Sequence, residues 1–312
     1  MPKSINFHIF GFSLLILVLS LTAILINAEY YHYPGNNYFP PDTLTVALTL
    51  PLLYWGIKLQ FGDQYPLTLM VKEAIYLFLV MSVIALATNA AQYTPFPPID
   101  NQLLKIDHWL HINTKEILLY THQHPTFENL LRFAYNVLPI EMCYLPLLAI
   151  IFQRFAYCRE YYFLMLFCTF MGFSIYYFFP TKAPASLIES IYFTEEQRAT
   201  GFKFMQIHQH IQPSTLAGGM IALPSFHVIW AWLCLYLVRF LPIVFILLFP
   251  INLLIIISCV LLGWHYAIDV IFAIIVISMA HGAHFLARRR SSGSKIPCPV
   301  GWFKTDLPEK DR

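Results

Sequence analysis

Eight times along this chain an apolar stretch recurs at close to the length one helix needs to cross a bilayer, about 20 residues. The stretches lie near 7–27, 43–61, 68–90, 130–152, 161–180, 225–240, 242–262 and 265–286, the sixth being short and the second carrying Lys58. Hydrocarbon offers backbone amides no water, so each stretch must pair its own N–H and C=O groups, which a helix does. The chain is therefore expected to be an all-α, polytopic membrane bundle. Composition agrees: 58% of the 312 residues are apolar and 12% charged, with a mean hydropathy of +0.60. Ordinary soluble domains hold roughly 45–50% and 25%. So few charges exclude a soluble globular enzyme, a disordered chain and a nucleic-acid binder with a basic face. A net charge of +2 implies no general attraction to polyanions. Cys143, Cys168, Cys234 and Cys259 sit in apolar runs and no C-x-x-C occurs, so no disulfide framework is expected.

Lys3 precedes the first apolar run as in a signal peptide, but the run is long and Ile26-Asn27-Ala28 is a poor cleavage site. An uncleaved helix is the expectation. Lys and Arg then set orientation. Of the 19 basic residues, 13 fall on the side of the N-terminus, among them Lys72, Arg154, Arg159, Arg239 and the Arg288-Arg289-Arg290 run. Both termini are expected in the cytoplasm, with a bacterial inner membrane favoured. Residues 1–66 read as an accessory hairpin, 67–286 as the core and 287–312 as a basic, flexible tail. After Pro95, Pro97 and Pro98, apolar residues such as Leu103, Leu104, Ile106 and Trp109 recur among charges at roughly helical spacing. That pattern predicts a helix near 100–122 lying in the outer interface. The segment 181–224 reads as a second outer loop, polar and with a Gly218-Gly219 pair.

Ionisable groups in or beside membrane helices are expensive and call for a reason. Two clusters open helices at the same expected face: Leu223-Pro224-Ser225-Phe226-His227 and Gly263-Trp264-His265-Tyr266-Ala267-Ile268-Asp269. His265 and Asp269 are four residues apart, hence on one helix face. A carboxylate there fixes the imidazole tautomer and leaves the other ring nitrogen free to attack. Ser225 is positioned as a helix cap, and the helix start before His227 presents unpaired N–H groups that suit a phosphate. A protonated His227 would act as general acid.

The pattern resembles the type 2 phosphatidic acid phosphatase superfamily of lipid phosphatases and membrane lipid phosphotransferases. Its Pro-Ser-x-His motif matches Pro224, Ser225 and His227, with Phe226 where many members have Gly. Its His-x-x-x-Asp motif matches His265 and Asp269. The Gly-x-His-Tyr-x-x-Asp form is most similar to the inositolphosphotransferase and sphingolipid-synthase branch. The likeness runs from about 95 to 286. It implies a six-helix phosphatase-like core, to which the N-terminal hairpin is added. The family's Lys-x6-Arg-Pro motif is not present in full: Phe179-Pro180-Thr181-Lys182-Ala183-Pro184 takes its place, and Ser258 is followed by Cys259 instead of Arg. Lys182 and Ser225 are the candidate phosphate ligands, with Arg198 and Lys203 weaker and read as solvated loop charges.

The resemblance implies two-step transfer. His265 attacks phosphorus, Asp269 orients its ring, and His227 protonates the leaving alcohol and then activates an acceptor. A membrane lipid with a phosphate head group is the implied partner. No metal, cofactor or nucleic acid is implied, and oligomeric state stays open. The other reading is a transporter or channel with a buried His/Asp polar site. The pairs His108/His111, His122/His124 and His208/His210 lack Cys or acidic partners at zinc spacing. Glu141, inside the fourth stretch, is expected to pair with Arg132 or a core histidine, or to line the site. Pro139, Pro146, Pro242 and Pro250 are expected at helix ends or kinks.

Overall fold

The computed structural model describes residues 3–291. The tail expected from 287 lies outside the described residues from 292 onward. The elements are α1 (Lys3–Ile26), α2 (Thr43–Phe61), α3 (Pro66–Ala91), α4 (Asp100–Trp109), α5 (Thr114–Gln123), α6 (Pro125–Ile151), α7 (Phe155–Phe178), α8 (Glu195–His208), α9 (Phe226–Leu237), α10 (Pro242–Leu261) and α11 (Ala267–Ser291). A π-helical turn, Asn27–Tyr31, extends α1, and a 3-10 turn, Val238–Phe240, extends α9. Among the described residues seven helices are long and apolar enough to cross a membrane, and Phe226–Phe240 is a shorter apolar one. These eight match the eight stretches read from the sequence. The protein is an all-α, polytopic membrane bundle.

Proline punctuates the spans. Pro66, Pro125 and Pro242 occupy the first turns of α3, α6 and α10, where their missing N–H costs nothing. Pro51, Pro139, Pro146 and Pro250 lie inside helices, which membrane spans tolerate when neighbours satisfy the freed carbonyl.

The hub is α7, which packs against α1, α3, α6, α9 and α11. Tyr162, Phe163, Leu164, Met165 and Leu166 follow one another on α7 at 1% exposure or less, so the helix is buried all round, as its unbroken apolar sequence requires. Lipid tails are as apolar as these side chains, so close fit rather than expulsion from water holds the spans together. Gly172 shows the fit: a Cβ there would come within 2.6 Å of Cζ of Phe226. Its bare backbone lets α7 press against the start of α9. The two N-terminal helices engage the bundle separately, α1 against α3, α7 and α11, and α2 against α3. No residue of α2 is buried.

At the end of the bundle where α7 begins, charges are paired. Arg159 donates to both oxygens of Glu73 at 2.7 and 2.6 Å, and Arg239 to Glu160, which also accepts from the Tyr236 hydroxyl at 3.0 Å. Glu141 is held by Asn252, whose Nδ2 donates to its two oxygens at 3.1 and 3.0 Å. The expected Arg132 partner instead pairs with Glu128, one helical turn before it.

The helix expected near 100–122 is two helices. The break falls at Leu110–Asn113, where His111 is left-handed (φ 59°) and the Asn113 side chain accepts from Lys115 N–H to start α5. Asparagine at an N-cap outcompetes helix continuation because its carbonyl replaces the missing backbone acceptor. The 181–224 segment contains α8, begun by a capping box in which Thr194 and Gln197 satisfy each other's backbone N–H.

Candidate active site

The link between α10 and α11 turns at Gly263, which has φ 73°. A Cβ there would meet Phe193 at 2.7 Å and Leu118 at 3.0 Å. Left-handed backbone and close neighbours both demand glycine. The turn carries Trp264, His265 and Tyr266 into the start of α11, while Ser225 opens α9 beside it. The Ser225 N–H donates to the Asp269 carbonyl at 3.1 Å, fixing the two helix starts together.

His265 is 5% exposed and Asp269 fully buried. Nδ1 of His265 lies 3.0 Å from the Ala222 carbonyl and 3.4 Å from Oδ2 of Asp269. A carbonyl oxygen only accepts, so Nδ1 carries the proton and Nε2 holds the lone pair. Asp269 Oδ2 also accepts from Tyr266 N–H at 3.0 Å, so one carboxylate steadies both the ring and the helix start. Among the described residues its Oδ1 has no hydrogen-bond partner.

His227 stands on the first turn of α9, its ring centroid 6.0 Å from that of His265. It stacks on Tyr135 of α6 at 4.2 Å and 16°, and Tyr135 stacks in turn on Trp264 at 5.1 Å and 6°. The Tyr135 hydroxyl is 3.3 Å from His227 Nδ1. Ring centroids 6.0 Å apart bring both imidazoles to one site.

The two helix starts are finished differently. On α11, Asp107 of α4 accepts from Ala267 N–H at 2.9 Å and Ile268 N–H at 3.2 Å. On α9, Ser225 is in the cap position but makes no capping bond. Its fully buried hydroxyl donates to Cys259 Sγ at 3.7 Å instead. The first N–H groups of α9, beside both imidazoles, therefore have no side-chain cap, and this is the end that suits an anion.

Lys182 enters through its backbone. Its N–H donates to both oxygens of Asp100, at 3.1 and 2.9 Å, and Asp100 also accepts from the Tyr266 hydroxyl at 3.2 Å. Asp100 thus ties the Lys182 segment to the neighbour of His265. Among the described residues no hydrogen bond or ion pair joins the Lys182 side chain to either imidazole. Arg198 is exposed and donates to the Ser190 carbonyl. Lys203, expected in solvent, is 2% exposed, with Nζ 3.3 and 3.2 Å from the carbonyls of Leu216 and Gly218. Burial lowers its pKa to about 8. The paired histidines bond locally: His122 with Glu128, His124 with the Tyr120 carbonyl, and His208 with the carbonyls of Phe204 and Thr94.

Nothing in the sequence singles out Tyr135, and Asp100 and Asp107 count there only as charges of the interfacial helix. The two acids carried a signal: with Leu103 they fall at i, i+3 and i+7, one face of a helix. That face is the buried one, while Trp109 is 78% exposed. Burial pushes both carboxyls above the usual carboxylate range, against the N–H donors that hold them ionised. Gln197 and Thr121 complete the support, donating to the carbonyls of Leu262 and Leu261 at 2.6 and 3.1 Å.

A family model described as the PAP2 superfamily matches residues 101–283, more than half of the chain. No curated protein and no solved structure matches the chain.

Proposed function

The chain belongs to the PAP2 superfamily, and from that premise we propose that it is a lipid phosphatase or lipid phosphotransferase working through a phosphohistidine. The observation that carries the reading is the pair of imidazoles 6.0 Å apart over the uncapped start of α9. Nε2 of His265 attacks phosphorus, forming the N–P bond as the bond to the departing lipid alcohol breaks. His227 gives that oxygen its proton. In the second half His227 takes the proton of an incoming hydroxyl, the new O–P bond forms, and the N–P bond breaks. The Ala222 carbonyl and Asp269 keep His265 in the attacking tautomer and stabilise its charge. Oligomeric state plays no part in these steps, which one chain's residues complete.

The phosphoryl oxygens are assigned to the first N–H groups of α9, reached through Ser225, and to the Lys182 ammonium. For Ser225 the contribution is its place at the helix start, since its hydroxyl is taken by Cys259. The motif Gly263-x-His265-Tyr266-x-x-Asp269 favours the inositolphosphotransferase and sphingolipid-synthase-like branch, hence transfer to an alcohol over hydrolysis. The core is assigned to 67–286 with 1–66 accessory to it, and the site to the extracytoplasmic face, following the bias of Lys and Arg.

The test uses purified protein with labelled phospholipids, with and without alcohol acceptors, scored for phosphate release against a new lipid product. His265→Ala and His227→Ala should insert and fold normally yet lose turnover. Turnover retained in His265→Ala would reject the nucleophile.

A further inference from the structure

Between α1, α3 and α7 lies a cavity of about 260 Å³, walled by Ser20 and Ala23 of α1, Ala90 of α3, and Thr169, Phe173 and Tyr177 of α7, among others. On α1 its wall runs from Ile16 to Ile26, about 15 Å along the axis. That is half of a hydrocarbon core about 30 Å thick, the depth of one leaflet. Ile26, Ala91 and Phe178, the last residues of their helices, close its upper end. By the alternation of the spans, that is the end of the bundle where α9 and α11 begin. Leu19, Ile26 and Phe178 at its rim are 48%, 44% and 54% exposed, so the cavity opens sideways into the bilayer.

The wall is nearly all hydrocarbon, which offers water too few partners to stay. An empty space of this size would forfeit packing along three helices. The Thr169 hydroxyl is fully buried and, among the described residues, without a partner. Phe173 of the wall lies 4.9 Å from Phe226, the residue before His227. Both α1 and α3 precede the region matched by the family, while α7 lies within it. Of the three walls, α1 belongs to the 1–66 segment assigned as accessory to the core.

We infer that this cavity is a binding site for one hydrocarbon chain of the phospholipid whose phosphate meets His265. The assignment rests on the phosphoryl-transfer reading above for its ligand. A chain seated here lies in one leaflet, with its head group at the end of the bundle where α9 and α11 begin. The residues of α1 and α3 then select for chain length and shape.

Two measurements test it. The first is photolabelling of full-length His265→Ala protein in vesicles with a phosphatidylcholine probe carrying a diazirine in mid-chain. Label is expected on the peptides around Ala23 and Thr169, and it should fall about tenfold in the double variant with Ala23→Phe, whose ring fills the space from α1. The second is the ratio of KM for a long-chain to a water-soluble short-chain phosphate ester. It should rise about tenfold in Ala23→Phe or Ser20→Phe and stay unchanged in Leu52→Phe, on the exposed face of α2. Label confined to outward-facing residues, or a KM ratio that Ala23→Phe and Ser20→Phe leave unchanged, overturns the site. Cavity labelling without turnover of any phosphate ester would overturn the assignment of substrate and the phosphoryl-transfer reading together. Turnover without cavity labelling would overturn the chain site alone.

Discussion

Asp107 lies in α4, outside the helices that carry the imidazoles, yet its fully buried carboxylate holds the first two N–H groups of α11. In Asp107→Ala both donors lose their acceptor in a place water does not reach. An unpaired buried donor costs about 1–3 kcal/mol, and loss of an acidic cap about 0.5–2 kcal/mol where water replaces it. The two limits bracket an expected loss of about 2–4 kcal/mol, or on the order of 3–6 °C in Tm for a chain of this length. Because Ala267 and Ile268 directly follow His265 and Tyr266, their release lets the His265 ring drift from its carbonyl. A displacement near 1 Å costs on the order of 100-fold in kcat. Asp107→Asn keeps one acceptor oxygen but turns an NH₂ towards the second donor, so it should fall between wild type and Asp107→Ala. Thermal unfolding in detergent and steady-state kinetics well below Tm are the assays, with Lys105→Ala, exposed on the same helix, as control. If Asp107→Ala unfolds within about 1 kcal/mol of wild type and keeps its kcat, the buried cap is not what holds His265.

Tyr135→Phe keeps the three-ring stack but removes the hydroxyl beside His227. Loss of one such bond, about 0.5–1.5 kcal/mol, should lower kcat about 2–10-fold and shift the limb of its pH profile set by His227, with KM unmoved; a profile identical to wild type would refute the pairing. For Lys203 the folded pKa, about 8, lies below the ordinary 10.5. The unfolded chain thus binds more protons between these values, and stability must rise with pH across that window. The Tm of wild type should therefore gain on that of Lys203→Met from pH 8 to 10.5, whereas parallel curves would show that the buried ammonium carries no such cost.

The spans were legible because crossing a bilayer is a local property: twenty apolar residues suffice, whatever the neighbours. The same holds for the His265–Asp269 spacing. What escaped depends on partners far away in sequence. Asp100 and Asp107 read as the polar side of an interfacial helix, and only contact with Tyr266, Ala267 and Ile268 turns that side inward. Ser225 had the residue type of a cap, yet Cys259, 34 residues on, takes its hydroxyl. Glu141 found Asn252 instead of a cation, and Lys203 is enclosed by carbonyls of a loop whose course no periodicity announces. The interfacial helix breaks where His111 is left-handed and Asn113 caps α5, although the apolar spacing continues across both.

The packed middle of α7 governs traffic as well as stability. The band from Tyr162 to Leu166 is sealed on every side, so among the described residues no polar path runs from the imidazoles along this stretch of α7. On the phosphoryl-transfer reading, a polar group freed at the imidazoles would leave by the end of the bundle where α9 and α11 begin. On the reading proposed above, each turnover would change the lipids of one monolayer before the other.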